Sequence, residues 1–153
     1  MKLTEKLKHK YALSDKGAKG MIRAVAAVTL SNVILMIPVG LLYMLSSYLL
    51  DGELPREKFG FFIAAIVIVL LLIAGSTVIQ YRATFLSTYI ESGVRRRTLA
   101  EKLRKIPLSF FGKKDLADLT NTIMSDCASI ETASSHFIPE FAGAMFSTTI
   151  VVI

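Results

Sequence analysis

The sequence predicts an all-α membrane fold: polytopic apolar helices with long cytoplasmic extensions, cut off within a third span. Three observations predict it. Residues 24–50 run for 27 positions without Asp, Glu, Lys or Arg, and residues 59–81 for 23 more. The charges are segregated from those runs instead of being spread along the chain. Between the second run and a third that starts after Glu140, the apolar residues keep a helical rhythm of three- and four-residue steps. About 20 apolar residues cross the hydrocarbon core as a helix. Only helices and closed barrels satisfy the backbone inside lipid, and unbroken apolar runs point to helices over alternating barrel strands.

Composition excludes other classes. The chain has 153 residues, 53% hydrophobic and 20% charged, with a formal net charge of +6. Its mean hydropathy is +0.55. A disordered chain would be poorer in apolar residues, and 9 Gly with 4 Pro exclude a collagen-like or low-complexity one. A single cysteine, Cys127, excludes an internal disulfide and a Cys-rich metal site, and reads as a small packing residue.

The N-terminal segment, residues 1–20, is basic, with a thin apolar stripe of Leu3, Leu7, Tyr11 and Leu13. A cleaved signal peptide would have an apolar core of roughly 7–15 residues ending in small residues. The run here is much longer and ends in Tyr48-Leu49-Leu50. Spans are expected at about 21–50, 59–81 and 137–153 onward, with a cytoplasmic loop over about 82–136.

Charge sets the orientation. Residues 1–23 carry seven Lys/Arg against two acids, the connector 51–58 two against three, and residues 82–118 nine against four. Basic residues concentrate on the cytoplasmic side, so the N-terminus and the long basic segment lie inside. The connector, with turn residues Asp51-Gly52 and Pro55, lies outside.

The second span is expected to continue as one helix from Phe59 to Ile106, about 70 Å at 1.5 Å per residue. Its inward stripe reads as Phe85, Leu86, Tyr89, Ile90, Val94, Leu99, Leu103 and Ile106, with Arg95, Arg96, Arg97, Lys102, Arg104 and Lys105 on the other face. Pro107 disfavours helical geometry at Ile106. Asp115 is a candidate N-cap with Asp118 at the third helical position. A returning helix follows, with the stripe Leu119, Ile123, Cys127, Ile130, Ser134 and Phe137. The linking tip, residues 107–115, sets Phe110 and Phe111 beside Lys113 and Lys114. The aromatic pair reads either as an exposed docking knob or as a plug that closes the tip between the two rods.

These residues resemble a family. The stretch 95–131, RRRTLAEKLRKIPLSFFGKKDLADLTNTIMSDCASIE, is similar to the first intracellular loop of ATP-binding-cassette exporter transmembrane domains. Ile106-Pro107-Leu108 matches the leucine-proline turn, Phe110 and Phe111 the aromatic pair, and Asp126 and Ile130 the Asp and later apolar residue of the returning helix. Ala117 and Thr122 stand where the family usually has Gly and Arg. The resemblance implies a coupling helix at about Phe111–Asp115, so Phe110, Phe111, Gly112, Lys113, Lys114 and Asp115 would engage a nucleotide-binding domain. It also implies a second transmembrane half as partner, a transported substrate, and placement in a bacterial inner or plasma membrane. Residues 1–20 resemble the elbow helix such exporters lay along the inner surface. On the residues alone they read equally as a solvated or headgroup-binding basic tail.

No catalytic chemistry is legible. There is no phosphate loop: Gly112-Lys113-Lys114 lacks the upstream Gly and the following Ser/Thr. The chain is therefore expected to be no enzyme and to bind no cofactor, with ATP and Mg belonging to a nucleotide-binding domain not present here. His9 and His136 are isolated, and His136 reads as a packing or interfacial residue. Glu140 stands at the edge of a span, at the inner interface or as an ionisable functional group. Positive-inside topology explains the basic residues without nucleic acid. Because the apolar run after Glu140 has only 13 positions, the sequence is expected to be the N-terminal part of a longer transporter. The competing reading is a small self-contained membrane protein with a structural or regulatory role.

Overall fold

A computed structural model describes residues 3–11, 13–52, 56–112 and 115–153. It is all helical over those residues. Helices α1 (Leu3–Tyr11), α2 (Asp15–Leu50) and α3 (Arg56–Tyr81) are followed by a wide π turn at Arg82–Leu86 and by α4 (Ser87–Leu103). The short α5 (Leu108–Phe111) makes the tip. The return comprises α6 (Leu116–Asn121), α7 (Cys127–Thr132) and α8 (Ile138–Val152), joined by π turns at Thr122–Asp126 and Ala133–Phe137.

Two helical stretches, Asp15–Leu50 and Lys58–Leu103, are long and apolar enough to cross a membrane. The second, at 46 residues, is about 69 Å long, more than twice the roughly 30 Å hydrocarbon core. It stops three residues short of the expected end. Arg104, Lys105 and Ile106 form turns, because Pro107 removes an N–H donor and crowds the residue before it.

The first long helix begins before the expected span. Ser14 is its N-cap, in extended conformation, and accepts the Gly17 N–H at 3.0 Å. Asp15 in the first turn favours the helix dipole. Its carboxylate accepts from Lys8 Nζ at 2.6 Å; that hydrogen bond, and then the Lys8 charge, hold it below the usual carboxylate range. At the opposite end Gly52 takes φ +67°, the left-handed conformation that ends α2 and makes the expected Asp51-Gly52 turn. Pro55 lies outside the described residues. Past the connector, Tyr48 meets Phe62 edge-on at 6.1 Å, and Lys58 Nζ lies 4.0 Å from the Tyr48 ring centroid.

Packing inside the bundle relies on small residues, as expected where lipid removes the hydrophobic drive between helices. Ala24, Ala27, Val28 and Ser31 of α2 are buried, as are Pro139, Gly143 and Ser147 of α8. A Cβ on Gly143 would lie 2.5 Å from Val28 Cγ1 and 3.3 Å from the Thr29 backbone nitrogen, so only glycine admits this approach. Asn32 Nδ2 donates to Ser147 Oγ at 3.4 Å across the same seam.

The packed face of the return differs from the expected stripe. It runs Leu119, Ile123, Cys127, Glu131, Ser135, Pro139, Gly143 and Ser147, a strict four-residue step. Ile130 and Phe137 are instead 44% and 69% exposed. In a plain α-helix a four-residue step drifts about 40° each time. The two π turns each widen the winding and hold the face in register. Hydroxyls serve carbonyls in and beside these turns: Ser129 Oγ donates to Ser125 O, and Ser135 Oγ to Glu131 O.

Candidate functional site

Two regions are candidates for function, the tip and a polar junction where α4 meets the start of α2 and the return.

At the tip, Pro107 in extended conformation caps α5, and its carbonyl accepts the Phe110 N–H at 3.0 Å. The coupling helix expected at about Phe111–Asp115 lies partly outside the described residues; the short helix falls at Leu108–Phe111. Starting directly after the proline costs it little, because the first N–H groups of a helix lack intrahelical partners anyway. Phe110 and Phe111 stand edge-to-face, with ring centroids 5.8 Å apart at 89°. Phe110 is 37% exposed and Phe111 is partly buried, so both rings keep some accessible surface at the tip. Gly112 caps α5 with ordinary right-handed geometry. Asp115 caps α6 as expected, its Oδ1 accepting the Ala117 N–H at 2.9 Å, with Asp118 in the first turn. Lys113 and Lys114 lie outside the described residues.

The junction is built on two turns of α4. Glu91 Oε1 accepts the backbone N–H of Ser14 at 2.7 Å, and Oε2 accepts the Ser14 hydroxyl at 2.5 Å. One turn on, Arg95 Nη2 donates to the Tyr11 carbonyl at 3.4 Å. Glu91 and Arg95 therefore grip the link between α1 and α2. Gly17 makes room: a Cβ there would lie 2.6 Å from Glu91 Cδ. On the neighbouring face, Ser92 Oγ and Arg96 Nη2 both donate to Glu131 Oε2 of α7, at 2.5 and 3.2 Å. Arg96 Nε is buried and has no hydrogen-bond partner among the described residues.

This junction corrects the expected face of α4. Arg95 and Arg96 point into the bundle, while Leu86, Tyr89, Ile90 and Val94 are exposed. The inward face is Thr84, Thr88, Glu91, Ser92, Arg95 and Arg96, joined by Leu99, Leu103 and Ile106. Buried Cys127 packs in the α7 wall. His136 packs edge-on against Phe85 at 4.7 Å, and its Nδ1 lies 3.7 Å from Glu140 Oε1. Among the described residues no group of three or more His, Cys, Asp or Glu could hold a metal ion.

Long helices, a small-residue seam and two stretches fit to cross a bilayer define a helical integral membrane protein. The chain belongs to the ABC transporter transmembrane region family, whose model matches residues 21–153. Neither the curated proteins nor the solved structures contain a match to the chain. Such a region carries no catalytic site itself. ATP and Mg belong to a separate nucleotide-binding domain, with which these regions generally pair.

Proposed function

We propose that this chain is the N-terminal part of the permease of an ATP-driven exporter, and that its tip couples to the nucleotide-binding domain. The N-terminus and the tip are cytoplasmic, following the excess of Lys/Arg in 1–23 and 82–118. α2 and α3 cross the membrane and line part of the translocation path, α8 begins a third span, and a second transmembrane half completes the pathway. One observation carries the coupling reading. A continuous helix of 46 residues leads out of the apolar run to a short helix that carries both Phe110 and Phe111. A rod of that length moves as a body between packed states, so a displacement passed through the turn at 104–107 to its end is carried along it toward the membrane.

The test uses the full-length transporter with its nucleotide-binding domain. Phe111→Ala and Gly112→Pro are expected to leave membrane insertion intact while ATP hydrolysis no longer drives transport. Unchanged coupling in both variants overturns the proposal, as does ATP hydrolysis by the purified 153-residue chain alone.

A further inference from the structure

An open groove of about 820 Å³ runs between α1, α2 and α8. Leu7 and Tyr11 of α1 close one end, Ile22 to Val33 of α2 form one wall, and Ile138 to Ile150 of α8 form the other. The closed end is fixed, because Leu7, Tyr11 and Ile138 pack on the buried cluster of Leu13, Ala18 and Met21. The walls are apolar. Thr29, the one hydroxyl on them, already donates to Val25 O at 2.8 Å. Nothing in the slot therefore asks for a polar ligand.

Its length is informative. From Ile22 to Val33 the helix rises about 16 Å, close to half the roughly 30 Å hydrocarbon core, the depth of one leaflet. The end at α1 is cationic. Lys10 Nζ lies 5.6 Å from the centroid of the Tyr11 ring that lines the groove. Lys6, one turn earlier, is exposed, and exposed Arg23 directly follows Ile22. Of the two acids in residues 1–23, Asp15 is engaged by Lys8, and Glu5 stands exposed on α1.

We propose that this groove binds an anionic phospholipid from the leaflet on the N-terminal side. One acyl chain fills the slot, and the headgroup phosphate sits at Lys10 with Lys6 and Arg23 beside it. Hydrocarbon depth matched to a leaflet, ending in cations, is the complement of such a lipid. Each cation near an anionic headgroup contributes a preference of about fivefold over a zwitterionic one. The inference rests on membrane placement and not on coupling at the tip, so either can fail alone.

The experiment uses the full-length transporter reconstituted in vesicles of phosphatidylcholine and phosphatidylglycerol in equal parts. Each lipid in turn carries a photoreactive group on its acyl chain, and labelled peptides are mapped by mass spectrometry. The phosphatidylglycerol probe is expected to label the peptides covering 22–33 and 138–150 several-fold more than the phosphatidylcholine probe. Lys10→Gln lowers that preference about fivefold. Ala26→Trp, a bulky ring on an exposed wall position, removes groove labelling by both probes but leaves labelling of α3 unchanged, which shows that the variant is folded. Equal labelling by the two lipids, or a preference that Lys10→Gln does not alter, overturns the proposal. Absence of groove labelling also overturns it and assigns the slot to another helix of the assembly.

Discussion

Glu91 and Ser14, 77 residues apart, meet through both carboxylate oxygens: one takes the Ser14 backbone N–H at 2.7 Å, the other its hydroxyl. The same hydroxyl oxygen accepts the Gly17 N–H, so α4 completes the N-cap of α2. Hydrogen bonds to a charged group contribute about 1.5–3 kcal/mol each, and the carboxylate also faces the positive end of the helix dipole. Glu91→Ala is expected to lower stability by about 2–3 kcal/mol, read as a fall in the unfolding temperature of the full-length protein in detergent.

Gly17→Ala tests the same contact from the other side. Alanine favours the helix by up to about 1 kcal/mol, but its Cβ displaces Glu91. The displaced bonds outweigh the propensity gain, so the substitution destabilises by about 1 kcal/mol in the native background. In the Glu91→Ala background it becomes neutral or stabilising. An unaltered sign in the double variant refutes the clasp.

At the α2–α8 seam, Gly143→Ala pushes a methyl into Val28 and against the Thr29 backbone. Overpacking of this kind costs about 1–3 kcal/mol. Val28→Ala relieves only part of it, because Val28 Cβ itself would lie 2.8 Å from the new methyl. Val28→Gly relieves more. The loss of unfolding temperature caused by Gly143→Ala, measured in the native, Val28→Ala and Val28→Gly backgrounds against each background's own Gly143 parent, should shrink in that order.

Arg96 and Glu131 have side chains 40% and 17% exposed, against 82% and 56% for the outward pair Arg97 and Glu101. Exposed i,i+4 pairs contribute about 0.3–0.5 kcal/mol. Glu131 also holds Ser92, and its removal leaves a half-buried guanidinium short of acceptors. A double-mutant cycle on Arg96 and Glu131 should give about 1–2 kcal/mol of coupling. The Arg97–Glu101 cycle should give no more than a few tenths. Equal values in the two cycles would count against the junction.

At the tip, a Cβ on Gly112 would meet Ser109 O at an ordinary 3.8 Å, and φ there is −73°. Gly112→Ala should therefore transport as the wild type does. Gly112→Pro disfavours helical geometry at Phe111 and dismantles the last turn of α5. Transport against ATP hydrolysis, measured in both variants, separates local shape from the mere loss of a glycine.

The helices, the turn at Asp51-Gly52 and the cap at Asp115 were legible because each depends on neighbours in sequence. The inward face of α4 was not. Periodicity assigns apolar residues to the interior on the premise that the exterior is water. Here four long-range polar contacts, from Glu91, Ser92, Arg95 and Arg96, override that premise, and Leu86, Tyr89, Ile90 and Val94 lie outward while Arg95 and Arg96 lie inward. The return was misphased at Ile130 and Phe137 because a constant winding was assumed, whereas two π turns reset it. Glu91 gave one faint signal, an acid in a basic segment. Its partner, far away in sequence, gave none. The placement of Phe110 and Phe111 in a tip after Pro107 was legible, but not their edge-to-face contact.

The two grips on α4 lie about 100° apart around its axis, Glu91 and Arg95 on one line, Ser92 and Arg96 on the next. Rolling the rod about its own length would drag both sets of donors and acceptors sideways out of reach at once. Tilting it, with the start of α2 and α7 carried along, disturbs neither. The junction therefore keys α4 against rotation about its own axis, while a tilt shared with the start of α2 and with α7 keeps its hydrogen bonds.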